Sequence, residues 1–142
     1  MSSDTDRPVI VAGVDGSQCS LEALRWAARQ AELTGAELHA VMAWSLPEIY
    51  SYTPRDFQAD ARKALEDAIE QSLGKQPRVP VTAQVVEGHP ARALSDASRD
   101  AQLLVVGSRG HGAFTGMLLG SVSQHCVSHA QCPVVVVRPQ QP

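Results

Sequence analysis

Two short stretches of this chain carry residues whose types and spacing suit a phosphorylated sugar. One is Asp15-Gly16-Ser17; the other runs Gly107-Ser-Arg-Gly-His-Gly-Ala-Phe-Thr-Gly-Met-Leu-Leu-Gly-Ser-Val-Ser123. Five of the ten glycines fall between Gly107 and Gly120. Glycine lets backbone amides approach a ligand closely and tolerates positive φ. Gly120-Ser121 then opens a helical pattern, and a helix N-terminus offers unpaired N–H groups and a partial positive charge to an anion. Alternatively, the glycines only shape a tight crossover and Ser121 only caps a helix. Charge separates these readings. All 15 acidic residues lie at or before Asp100, and Arg109 and Arg138 are the only charged side chains beyond it, with histidine neutral. An anion would meet no competing carboxylate there. Arg109 lies between two glycines and either reaches the ligand or faces water; the same choice holds for His111. Asp15 cannot favour phosphate directly. It could accept hydrogen bonds from ribose or adenine, or help to hold Mg²⁺ through water.

Competing signatures fail. A P-loop needs GxxxxGK[ST], and the only lysine that follows a glycine is Lys75. The dinucleotide fingerprint GxGxxG is missed because Gly110-His-Gly112 is followed by Gly116, one residue late. His125 and His129 are four apart on one helix face and could share a metal. No Glu follows His125, so the HExxH pattern is absent, and surface or interface histidines are the simpler reading. No direct metal site is expected. Cys126 and Cys132 read as free thiols rather than a bridge.

The elements that must position these residues are legible from periodicity. Val9–Val14 is a near-continuous β-branched run, of the kind buried on both faces of a parallel sheet. Leu21, Leu24, Ala28 and Ala31 mark one face of a helix over Ser20–Thr34, with Ser17 or Ser20 as N-cap and Gly35 as its stop. Strands follow at Glu37–Ala43, Val81–Val86, Leu103–Val106 and Pro133–Val137. Helices are expected over Asp56–Leu73, Ala91–Arg99, with Pro90 in its first turn, and Ser121–Ala130. Residues 44–55 are the longest irregular stretch. Alternating strands and helices imply an open α/β sandwich, a parallel sheet with right-handed crossovers.

With 142 residues the chain fits a single domain over 1–142, residues 1–7 forming a flexible tail. A net charge of −3 argues against a nucleic-acid partner. No aliphatic run exceeds the four residues of Val134–Val137, too short for a membrane span. No signal-peptide pattern is seen, and three cysteines without a CxxC fit a reducing cytoplasm.

The spacing Gly107-x2-Gly110-x9-Gly120-Ser121 resembles the G-2x-G-9x-G-[S/T] motif of the ATP-binding universal stress proteins. The likeness covers nearly the whole chain, including Val11-Ala-Gly-Val-Asp-Gly-Ser17, Leu119-Gly-Ser-Val-Ser123 and Cys132–Pro139. It implies an adenine-nucleotide-hydrolase-like fold with five parallel strands in the order 3-2-1-4-5, helices on both faces, and a homodimer. By the same resemblance, Gly13, Val14 and Asp15 lie at the adenosine end, and Val41, at the end of the second strand, lines the adenine pocket. Gly107, Arg109 and Gly110 run along ribose and phosphates, while Gly120, Ser121, Val122 and Ser123 hold the phosphate chain. Magnesium would then come with the ATP. The implied role is a cytoplasmic stress-response regulator, a nucleotide switch without rapid turnover, because the glycine segment holds no acid to position a water. The alternatives are a dimerisation module of the same fold that binds no nucleotide and, third, a flavin carrier. In the implied order Val134–Val137 is an edge strand with no charge to protect it, so pairing of two copies through Pro133–Arg138 is expected.

Overall fold

A strand in which Ile10, Val11 and Ala12 are all buried to 2% exposure or less has to lie in the middle of a sheet with both faces covered. The computed structural model describes residues 7–46, 56–109 and 120–139 and puts it there. The elements are β1 (Val9–Gly13), α1 (Gln18–Thr34), β2 (Glu37–Trp44), α2 (Phe57–Leu73), β3 (Val81–Glu87), α3 (Pro90–Ala97), β4 (Leu103–Gly107), α4 (Ser121–His129) and β5 (Val134–Val137), with a short 3₁₀ turn at Ser98–Asp100. All strand pairs are parallel, in the order β3-β2-β1-β4-β5. That is the order the family resemblance implied.

Alternation along the strands divides the core in two. Ile10, Ala12, Leu38, Ala40 and Val105 pack with Leu21, Leu24 and Leu65 of α1 and α2. Val11, Val41, Leu104 and Val106 pack on the opposite face with Leu94 of α3 and Cys126 of α4. Ala23, Ala27 and Ala31 of α1 are wholly buried, so that helix lies close against the sheet with no long side chain between.

Boundaries moved where capping chemistry decided them. Helix α1 starts at Gln18 because Ser17 is the N-cap, its side chain accepting from the Ser20 N–H at 3.2 Å. The cap of α3 is His89, whose Nδ1 accepts from the Ala91 N–H at 3.2 Å, with Pro90 at the first helical position. Helix α3 stops at Ala97, two residues before the expected end, and tightens into the 3₁₀ turn. Strand β1 ends at Gly13, leaving Val14 in the loop, while β2 extends through Trp44. Of the expected tail 1–7 only Arg7 lies within the described residues, and of the irregular stretch 44–55 only 44–46 do.

Candidate functional site

The direction of the crossovers reverses between β1 and β4: one leads through α1 to β2, the other through α4 to β5. The carboxyl ends of two such strands leave a crevice, the usual ligand position in an open α/β sheet. Both sequence stretches singled out above lead out of these ends.

On the β1 side the loop is built by hydrogen bonds. The Asp15 carboxylate accepts from the Ser17 N–H at 2.9 Å, and the Asp15 N–H donates to Ser20 Oγ at 3.3 Å. Ser20, 4% exposed, donates in turn to the Ser17 carbonyl at 2.9 Å. The exposed Asp15 is therefore fixed by its own turn. The Val14 N–H donates to the Val41 carbonyl at 2.9 Å, tying the loop to β2. Val41 is in register with Gly13, three residues before β2 ends, and its side chain belongs to the α3/α4 core. The sequence expectation had placed it at the strand end.

On the β4 side Ser108 is the anchor, which sequence reasoning passed over. Its N–H donates to the Val137 carbonyl at 2.8 Å, and its carbonyl accepts from the Gly120 N–H at 2.7 Å and from Ser123 Oγ at 3.1 Å. Ser123 Oγ also lies 3.0 Å from the Gly120 carbonyl. That hydroxyl, 3% exposed, is directed into the fold, so what Ser123 offers a ligand is its backbone amide. No residue pattern announces this clamp, because it uses backbone carbonyls. The first backbone bond inside α4 is Gln124 N–H to the Gly120 carbonyl. The amides of Ser121, Val122 and Ser123 precede it and have no partner within the helix.

The glycines divide by role. A Cβ on Gly107 would lie 2.8 Å from the Cβ of Cys19 and 2.9 Å from its backbone carbon, so α1 crosses β4 too closely for any side chain. A Cβ on Gly13 would meet only the tip of Leu94, at 2.7 Å. Gly120 caps α4 with φ −73° and ψ 170°, ordinary extended backbone, so positive φ is not its reason. Gly110 and His111 lie outside the described residues. Arg109 directly follows Ser108, and its Nε is buried without a hydrogen-bond partner among the described residues. A buried donor of this kind is costly unless something pairs with it. Three amides without a partner in the helix, the buried Arg109 Nε without an acceptor among the described residues and the Asp15 carboxylate at the neighbouring strand end fit a ligand with an anionic end and a polar neutral end. Among the described residues no group of three or more His, Cys, Asp or Glu gathers for a metal. Nor is any helix among them long and apolar enough to cross a membrane.

Known proteins share this sequence pattern and this fold. The model of the universal stress protein family matches residues 7–138. A universal stress protein of Mycobacterium tuberculosis is 43% identical over 138 residues, 95% of this chain and 47% of its own length. Another from the same organism is 40% identical over 134 residues, 92% of this chain and 45% of its own. The chain thus spans about half the length of these relatives. Among solved structures, a universal stress protein in complex with cAMP is 29% identical, with a TM-score of 0.71, covering 94% of this chain and 98% of its own. One from Lactobacillus plantarum shares the fold with a TM-score of 0.75 at 22% identity, over 92% of this chain and 97% of its own.

Proposed function

Because the chain belongs to the universal stress protein family, we propose that it binds an adenine nucleotide, ATP with its Mg²⁺, in the β1–β4 crevice. The observation that carries this reading is the amino end of α4, where Ser108 holds Gly120 and Ser123 and the amides of Ser121, Val122 and Ser123 have no partner within the helix. These amides, with Gly107, Arg109 and Gly110, take the phosphates. Gly13, Val14, Asp15 and Val41 take the nucleoside. Arg109 Nε finds its acceptor in a phosphate oxygen. Magnesium is held by the phosphates. The cAMP complex of a 29% identical relative supports the adenine class. We read the role as that of a nucleotide switch without rapid turnover, because the segment from Gly107 to Ser123 carries no acid to position a water. Two copies pair through Pro133–Arg138, and three free thiols suit the reducing cytoplasm.

A second reading has its own support. Gly107 has a packing reason to be glycine, so that residue of the motif would persist in a dimerisation module that binds nothing. Mass spectrometry of nucleotide released from the purified protein, with calorimetric titration of ATP, AMP and cAMP, decides between them. We expect an adenine nucleotide to be recovered, and Gly120→Val to abolish binding in a folded protein. Folded wild-type protein that neither carries nor binds any of the three nucleotides would establish the second reading.

A further inference from the structure

The last two turns of α4 hold a pair of side chains that the nucleotide reading leaves unused. His125 is half-buried and His129 exposed, and their rings stack with centroids 4.3 Å apart and planes inclined by 18°. Residues four apart on a helix stand one above the other, so the spacing brings them together. His129 Nδ1 lies 3.1 Å from the His125 carbonyl oxygen. A carbonyl can only accept, so Nδ1 carries the hydrogen, and in the neutral ring Nε2 keeps its lone pair. Metal-binding histidines commonly donate their other ring N–H to a backbone carbonyl in this way, which fixes ring orientation and tautomer. Spacing alone could not reveal this detail, which is why the sequence left the pair as surface histidines.

We propose that His125 and His129 form a two-imidazole site for a borderline divalent transition metal such as Zn²⁺ or Ni²⁺, with water in the remaining positions. An ion bonded to both rings at about 2.0–2.1 Å needs the two ring nitrogens within about 4 Å of each other. The rings are too nearly parallel to aim both lone pairs at one point, so the stack has to open. The broad χ2 torsion of His125 supplies that adjustment, while His129 stays tethered. The ion lies in the last turn of α4, where the helix dipole favours a cation. Imidazole suits these metals, whereas Mg²⁺ and Ca²⁺ take oxygen ligands and α4 carries no carboxylate. The site is separate from the nucleotide crevice, at the other end of the same nine-residue helix, and does not depend on that reading.

Titrating the untagged full chain with ZnCl₂ and NiCl₂ by calorimetry tests it. We expect one ion per chain, and a loss of affinity of about tenfold or more in both His125→Gln and His129→Gln. The histidine ¹⁵N spectrum should show the metal shifting Nε2, not Nδ1, of His129. Cys132→Ser should bind as the wild type does. Glutamine is a good helix former at both positions, and circular dichroism checks that each variant is folded. Unchanged affinity in the two histidine variants, absence of saturable binding, or loss of binding in Cys132→Ser would each overturn the site.

Discussion

At the scale of single residues, similar glycines behave differently because their neighbours differ. Gly107 faces the backbone of Cys19, which cannot move without shifting the start of α1, whereas Gly13 faces the rotatable tip of Leu94. Gly107→Ala should therefore cost about 1–3 kcal/mol and Gly13→Ala clearly less, measured by urea unfolding. Equal losses would contradict the crossing of α1 over β4. Asp15 makes a different case, because its carboxylate is already engaged with the Ser17 amide. If it also serves the nucleoside end, Asp15→Ala should weaken ATP by about 1.5–3 kcal/mol. Tripolyphosphate should bind both proteins equally in the same calorimeter. A parallel loss would move Asp15 to the metal or the phosphates. The sequence singled out Asp15 and the glycine spacing because both are properties of residue type. It missed Ser108, whose part is played by a backbone carbonyl that every residue possesses, and it gave Gly120 a conformational reason that φ −73° removes.

At the scale of elements, α4 has nine residues, too short to be stable in isolation. Its position depends on the tie from Ser123 and Gly120 to the Ser108 carbonyl and on Cys126, wholly buried against α3 and the sheet. Ser123→Ala should lower stability by about 1 kcal/mol. It should also weaken nucleotide binding by loosening the amides, although the hydroxyl itself touches no ligand in this reading. Binding of ATP at full wild-type affinity by Ser123→Ala would show that the clamp is dispensable. Element type and order were legible because β-branched runs and helical spacing record burial directly. Element ends were less so. Serine at 17 and at 20 both offered a cap for α1, and the structure uses Ser17 for the cap and Ser20 for the loop. His89 was invisible as a cap because histidine seldom fills that position.

At the scale of the whole molecule, the outer edge of β5 is set by hydrogen-bond parity. The Pro133 and Val137 carbonyls accept from Leu104 of β4 and from Ser108 just beyond it, so alternation turns the amides and carbonyls of Val134 and Val136 outward. Their side chains do not point along the edge. Val134 and Val136 pack on the α3/α4 face and Val135 and Val137 on the α1/α2 face. The edge that a second copy would meet is therefore backbone, and proline tests it directly. Val136→Pro should give a folded monomer, because it removes an outward donor, whereas Val135→Pro removes a bond to β4 and should destabilise the sheet. Sedimentation showing Val136→Pro as dimeric as the wild type would rule out pairing through β5. Global stability should also depend on alkaline pH through Cys126, whose thiol is pushed by burial from 9.0 to about 11. The unfolded chain releases that proton first, so stability present below pH 9 is lost as pH rises towards 11, by about 2 kcal/mol. Cys126→Ala should flatten that part of the profile, and an identical slope in both proteins would discount the thiol. The central place of β1 also has a consequence in time. Ile10 pairs with Leu38 on one side and with Leu103 on the other. A chain leaving the ribosome can close β1, β2 and β3 early, but the far edge of β1 waits until β4 has been synthesised. During that interval an apolar strand edge is open to other nascent chains, and this is when the protein most needs a chaperone.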